Sequence, residues 1–270
     1  MRAPIGVFDS GLGGLTVARA IRAALPNERL VYLGDTARVP YGTRSPETVI
    51  RYATSCAKAL LRHDVKLIVV ACNTVSAVAL PALADRFGIP VIGVIEAGAK
   101  AGASVSRGGR IGVLATAGTI ASGAYETALR ILNPSLEVVA VAAPLFVPLA
   151  EEGWTEGEIP EGVASRYLAP LIEARVDSVI LGCTHYPLLR ETIARVLERS
   201  SAPPVTIVDS AEALAEDLRA LLKSAELEAP PGAGDLHVLV TDQPRSFSAV
   251  ASRFLGESLG DFLVEAIDLE

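Results

Sequence analysis

The chain has 270 residues, half of them hydrophobic and 20% charged, with 31 acidic against 24 basic side chains and a formal net charge of −7. That length allows one large domain or two smaller ones with buried cores, and the composition excludes a disordered chain. The acidic balance, with a pI near 5.2, speaks against nucleic acid or an anionic membrane as the main partner.

A mean hydropathy of +0.41 raises the question of a membrane protein. The apolar runs, such as 67–71 and 178–181, are strand-length and fall far short of the roughly 20 residues that span a bilayer. The first strand follows Met1-Arg2-Ala3-Pro4 directly, so neither a signal nor a transit peptide is expected. Three cysteines suit a reducing cytoplasm better than a disulfide framework.

In chain order, a buried strand over 5–8 passes through a turn at 9–14 into a helix over 15–25. A second strand over 29–34 ends in Asp35, and Ser45 as N-cap with Pro46 at the first helical position opens a helix over 46–63. A third strand, 67–71, runs into Cys72. A helix over 75–87 follows, kinked or started by Pro81, and then a fourth strand over 91–95. The rhythm restarts with strands at 110–114, 136–141, 176–181 and 205–208 and helices at 120–132, 160–173 and 188–200. A helix over 211–225 and strands over 236–240 and 262–266 close the chain, while the Gly-rich stretches 97–109 and 229–234 read as loops or linkers. Continuous Val/Ile/Leu strands alternating with helices predict parallel sheets covered on both faces.

The two halves echo each other. Ile5-Gly6-Val7 returns as Ile111-Gly112-Val113, displaced by 106, and Val39-Pro40 as Val147-Pro148, displaced by 108. Cys72 and Cys183 are 111 apart, and Pro90-Val91 and Pro204-Val205 are 114 apart. Order is kept and the offset grows smoothly, as an internal duplication with small insertions predicts. In open parallel sheets ligands sit beyond the carboxyl ends of the strands. Asp9 and Ser10, Asp35, Cys72 to Thr74, Glu96, Cys183 to His185, and Asp209 with Ser210 all fall at such ends.

Of these, Cys72 and Cys183 carry the most chemistry. Each ends an apolar strand at the start of a helix, where the backbone N–H groups lower a thiol's pKa below about 8.5. A buried cysteine can equally be a small hydrophobe, which suits Cys56 within RYATSCAKALL. Asn73 and His185 beside the other two make poor core. The run Asp9 to Gly14 could bind an anion at a helix start, or Asp9 could be a simple cap. It lacks the third glycine of a dinucleotide fingerprint and the Gly-Lys-Ser/Thr of a phosphate loop. Cys183 and His185 have no second Cys/His pair with which to complete a zinc tetrahedron. Only Lys100 is near a strand end where pyridoxal phosphate would need its lysine. His63 and His237 read as structural. The loop 35–42 lines the expected cleft, and one of Glu151 and Glu152 could join it, although a solvated helix face explains that pair as well.

DSGLGGLTV (9–17), GDTARVPYGTRS (34–45), ACNTVSA (71–77), FVPLAEEG (146–153) and LGCTHYPLL (181–189) together resemble the glutamate racemase family. The resemblance implies an α/β fold of two pseudosymmetric, doubly wound parallel-sheet lobes with the active site in the cleft between them. The C-terminal segment would return to the first lobe, giving 1–96 plus 209–270 and 97–208. It implies racemisation of L- and D-glutamate by two thiols, supplying D-glutamate for peptidoglycan, with neither cofactor nor metal. A cytoplasmic homodimer is expected. Carried over residue by residue, Cys72 and Cys183 match the catalytic thiols, Asp9 and His185 their partners, and Glu151 an accessory acid. Ser10, Tyr41, Gly42, Asn73, Thr74 and Thr184 match positions that hold the amino acid, as do Asp9 and His185. The chain departs at Ala143, where relatives often carry cysteine, and activation by a cell-wall precursor, linked in some relatives to an N-terminal extension, is not expected. Two other readings stay open: a racemase of aspartate or a hydantoin, and a two-lobed binding protein without turnover, which would not need paired thiols.

Overall fold

The computed structural model describes residues 3–84, 86–200, 204–243 and 246–269. The chain begins β1 (Ile5–Asp9), α1 (Leu15–Ala24), β2 (Leu30–Gly34), α2 (Pro46–Leu61), β3 (Leu67–Val70), α3 (Asn73–Ala84), β4 (Val91–Gly93) and α4 (Val94–Val105). It continues with β5 (Arg110–Ala115), α5 (Ala117–Ser122), α6 (Ala124–Leu132), β6 (Glu137–Ala142), α7 (Phe146–Glu152), α8 (Glu158–Glu173), β7 (Ser178–Gly182), α9 (Arg190–Ser200) and β8 (Thr206–Asp209). It ends with α10 (Ser210–Ser224), β9 (Leu236–Val240), α11 (Phe247–Leu255) and β10 (Leu263–Ala266).

The strands form two sheets, ordered β10-β9-β2-β1-β3-β4 and β6-β5-β7-β8, and every described pairing is parallel. The order β2-β1-β3-β4 is thus repeated as β6-β5-β7-β8. Register repeats too. Ile5 pairs with Leu30 and Leu67, and Ile111 with Val138 and Ser178, so the partners are displaced by 108 and 111. Only the outer strand slips: Ile68 pairs with Val91 but Val179 with Ile207, a displacement of 116, two more than the Pro-Val echo.

Both faces of each sheet are covered. Ile5 and Val7 of β1 share a core with Leu15, Val17 and Ile21 of α1 and Leu214 and Leu218 of α10. Phe8, one step along, faces the other way onto Val49 and Ala53 of α2 and Val75 and Ala79 of α3. In β5, Ile111 and Val113 meet Ile95 and Ala99 of α4 and Tyr125 and Leu129 of α6. Leu114 is buried instead with Leu168 and Leu171 of α8 and Ile193 and Val196 of α9. Strands buried on both sides are what made their sequences continuously apolar.

The chain leaves the first sheet through α4 and comes back through α10, and these two helices pack on each other. Here the sequence reading needs correction. The stretch 97–109, expected as a Gly-rich loop, is helical to Val105, and β4 is correspondingly short. The glycines permit close packing rather than a turn: a Cβ at Gly102 would lie 2.5 Å from Ile180 Cδ1 of β7. The helix expected over 120–132 is broken at Gly123 into α5 and α6. Helix α3 starts at Asn73 and runs through Pro81. Ser45 caps α2, its Oγ accepting from the Thr48 N–H at 3.4 Å. Helices α7 and α11 were not expected.

Candidate active site

Each sheet has a switch point, between β1 and β3 and between β5 and β7, where successive connections diverge and a crevice opens beyond the strand ends. The segments leaving those four strands converge on one cavity of about 290 Å³. Its wall takes residues 10–11, 39–43 and 72–74 from the first sheet's loops and 116–117, 144, 147–148, 151 and 183–185 from the second's. Cys72 and Cys183 both face it as free thiols, each 6% exposed.

The thiols have different neighbours. Cys72 Sγ donates to Ser10 Oγ at 3.4 Å. Asp9 lies behind the cavity wall, 1% exposed, with Oδ2 accepting from the Gly11 N–H at 2.9 Å and Oδ1 without a hydrogen-bond partner. Cys183 Sγ lies 3.8 Å from His185 Nδ1, and His185 Nε2 lies 3.1 Å from Glu151 Oε1. The imidazole also rests edge-on against Phe254 of α11, with ring centroids 4.8 Å apart.

Ionisation follows from those neighbours. Burial pushes the Cys72 thiol up to about 12, the Asp9 charge adds to this, and the Ser10 hydroxyl and a backbone N–H only partly oppose it. The helix start expected to favour a thiolate here is therefore outweighed by desolvation. Burial also opposes a charge on His185. Hydrogen bonds and charge from Cys183 and Glu151 prevail, and His185 is raised to about 10, a cation at neutral pH. Asp9 is shifted up by burial, against the pull of His185 and three backbone N–H groups.

The glycine run of the α1 entry proves to be a contact surface. A Cβ at Gly13 would lie 2.4 Å from Thr184 Oγ1 and 2.5 Å from the His185 ring. Thr16 Oγ1 bonds the Thr184 carbonyl oxygen at 3.0 Å. Bare backbone is needed because the loop after β1 lies directly on the loop after β7.

The remaining candidates are on the cavity wall. Thr74 Oγ1 pairs with Thr116 Oγ1 at 2.9 Å, bridging the two sheets' loops, and Thr184 Oγ1 lies 3.3 Å from His185 Nδ1. Asn73 Nδ2 donates to the Tyr125 hydroxyl at 2.9 Å. Tyr41 donates to the buried Asp35 carboxylate, which also accepts from Arg38 Nε at 2.6 Å and Thr241 Oγ1 at 2.9 Å and so pins the loop carrying Gly42. Glu151 and Glu152 are now distinguished: both belong to α7, but only Glu151 is on the wall. Beyond α7, the chain's one tryptophan, Trp154, bonds through its N–H to the Leu149 carbonyl at 2.8 Å and leaves its indole half-exposed. Glu96 is away from this cavity, Lys100 pairs with Asp217 at 2.8 Å, and Cys56 is buried in α2. Among the described residues no group of three or more His, Cys, Asp and Glu is placed to hold a metal ion.

Thr116 and Phe254 were missed. Thr116 was findable, because the 106-residue displacement carries Ser10 onto it. Phe254 belongs to the unrepeated tail, where no such signal exists.

Two parallel α/β lobes of equivalent topology, each offering one thiol to a shared pocket, define the class of protein. The profile of the Asp/Glu/hydantoin racemase family matches residues 14–218. The glutamate racemase of Geobacter metallireducens is 52% identical over 98% of this chain and 97% of its own. The crystal structure of a glutamate racemase from Bacillus anthracis superposes with a TM-score of 0.93 at 39% identity, covering 99% of this chain and 98% of that one. A glutamate racemase from Francisella tularensis, solved with D-glutamate, gives 0.91 at 38% identity over 100% and 98%. The chain belongs to the Asp/Glu/hydantoin racemase family, within its group of glutamate racemases.

Proposed function

We propose that this protein interconverts L- and D-glutamate without a cofactor, using Cys72 and Cys183 as paired acid and base. The carrying observation is that the two thiols reach one small cavity from opposite sheets, a cation beside Cys183 and a buried carboxylate beside Cys72. Cys183, with the His185 imidazolium beside it, acts as the base that removes the α-proton of L-glutamate. Cys72, held as a thiol, then delivers its proton to the opposite face, leaving Cys183 protonated and Cys72 as the thiolate. D-glutamate reacts by the reverse sequence.

The α-proton beside a carboxylate is very weakly acidic, so positioning and fixed donors must lower the barrier. The N–H groups of Asn73 and Thr74 at the start of α3, with the hydroxyls of Ser10, Thr74 and Thr184, suit the developing negative charge. Asp9 acts on Cys72 and His185 stands beside Cys183, with Glu151 holding the imidazole. Tyr41 and Gly42 line the pocket and would hold the amino acid. The lobes are residues 1–96 with 209–270, and 97–208, joined by the crossings at α4 and α10. The product would serve peptidoglycan synthesis in the cytoplasm.

Incubating L-glutamate with the purified protein in D₂O is the direct test. Deuterium entering Cα as optical rotation decays to zero is the expected result; unchanged L-glutamate would reject the assignment.

A further inference from the structure

We infer that Arg253 is a positioning residue, which caps the end of α7 and thereby holds Glu151 against the imidazole of His185. The inference rests on the racemase reading above and gives the unrepeated C-terminal tail a part in the site.

The helix end sets the need. Helix α7 is short, Phe146–Glu152, and its last carbonyls have no partner within the helix. The N–H groups of Gly153 and Trp154 bond the carbonyls of Ala150 and Leu149. The next carbonyl, that of Glu151, accepts from Arg253 Nη1 of α11. Gly153 makes room for this contact: its φ is +77°, and a Cβ there would lie 2.8 Å from Arg253 Cζ. A cation at a helix C-terminus is also favoured by the helix dipole.

What hangs on that helix end is Glu151. Its carboxylate is half-exposed, 3.1 Å from His185 Nε2. An ion pair in contact with water contributes little by itself, because a long side chain must give up its freedom to make it. Fixing the backbone that carries the side chain removes part of that cost. The next residue along, Phe254, is fully buried and meets the other partner, its ring edge-on to the imidazole. Two neighbours on α11 thus support both members of the pair, Glu151 through its backbone and His185 through its ring. Helix α11 lies between β9 and β10 of the six-stranded sheet, whereas α7 follows β6 of the four-stranded one. The sheet whose β3 leads into Cys72 therefore steadies the imidazole beside Cys183.

The charges around His185 give the test its sign. Cys183 from its own loop, Glu151 from α7 and Asp9 from the end of β1 act on the imidazole. Gly13, Thr184 and Phe254, which also touch it, bring no charge. Burial lowers the His185 pKa, and hydrogen bonds with Cys183 and Glu151 raise it past the ordinary value to about 10. Were Arg253 only a nearby positive charge, its loss would ease protonation and raise that midpoint. Loss of the hold on Glu151 lowers it.

The chain has three histidines, so NMR titration of the protein labelled with ¹⁵N-histidine follows His185 directly, with the His185→Gln spectrum as its assignment. In Arg253→Met the His185 midpoint should fall by about one pH unit or more, the effect of losing an anionic hydrogen-bond partner. Turnover should fall as well, by less than on losing His185 itself. Gly153→Ala drives a methyl group into the same guanidinium and should move the midpoint the same way, which keeps the test open should Arg253→Met not fold. Adding Arg253→Met to Glu151→Gln should lower the midpoint no further; a further fall would mean that Arg253 acts by another route. An arginine that only stabilised the fold would shift the denaturation midpoint and leave the titration alone. An active wild type with a folded Arg253→Met whose His185 midpoint is unchanged or raised overturns this inference alone. A wild type that does not turn over glutamate overturns the racemase reading instead.

Discussion

Asp9 and Ala115 end the equivalent strands β1 and β5, and Thr74 and His185 stand two residues beyond equivalent thiols. The first lobe thus puts a buried carboxylate behind its cysteine, and the second puts an imidazolium in front of its own. Strand order and register are duplicated while the charges are not. The difference has a chemical reason. A fully symmetric pair would hold both sulfurs in the same protonation state, whereas proton exchange across one carbon needs a base on one side and an acid on the other. Topology supplies one sulfur from each sheet to a shared cavity; in the proposed scheme two unmatched residues distinguish them.

The comparison breaks at once if either thiol is dispensable. Cys72→Ser and Cys183→Ser should each lower turnover on the order of 10³-fold in a polarimetric assay, and normal turnover in either would end the paired scheme. His185→Gln and Asp9→Asn sharpen it, each slowing turnover by roughly ten- to a hundredfold. Because the equilibrium constant of a racemisation is one, kcat/KM must stay equal in the two directions. The asymmetry must therefore appear in isotope effects. With His185→Gln the α-deuterium effect should grow more for L-glutamate than for D-glutamate, and with Asp9→Asn the reverse; equal growth would sever each residue from its own thiol.

Gly13→Ala probes the contact between the lobes. Its Cβ would collide with Thr184 and His185, so denaturant midpoints should report a loss of about 1–3 kcal/mol, and a neutral result would mean that the loop can yield. His185 supplies a pH signature. Its folded value, about 10, is above the ordinary 6.5, so its contribution to stability is complete below about pH 6.5 and lost as pH rises through about 10. The stability gap between wild type and His185→Gln should narrow across that range, and a constant gap would contradict a cationic imidazole. The smallest effect belongs to Ser45→Ala. Loss of the α2 cap should cost about 1 kcal/mol with racemisation unchanged, because Ser45 does not line the cavity and its hydroxyl bonds to Thr48.

Strand-length apolar runs and the 106- to 111-residue echoes made the parallel sheets and their duplication readable from sequence, because a strand buried on both faces has no polar period to confuse. Placement of the thiols at strand ends followed from the same runs. The α4 helix was misread because Gly98 and Gly102 look like breakers to a local reading, yet meet partners from β7 and α10 that only the folded chain brings near. The thiol environment was misjudged for a similar reason. A helix start is visible in sequence, whereas the depth of burial that overrides it is a property of the assembled lobes. Phe254 belongs to the same class, reaching His185 from α11, an element far away along the chain.

The position of Trp154 has a practical consequence. It is the only indole in the chain, and its backbone is hydrogen-bonded into the turn that ends the helix carrying Glu151. Intrinsic emission excited at the red edge therefore comes from one fluorophore, half-exposed and tethered to the segment that touches His185. Any change in that emission on adding ligand would report on the α7 turn in the unlabelled protein, without introducing a reporter near either sulfur.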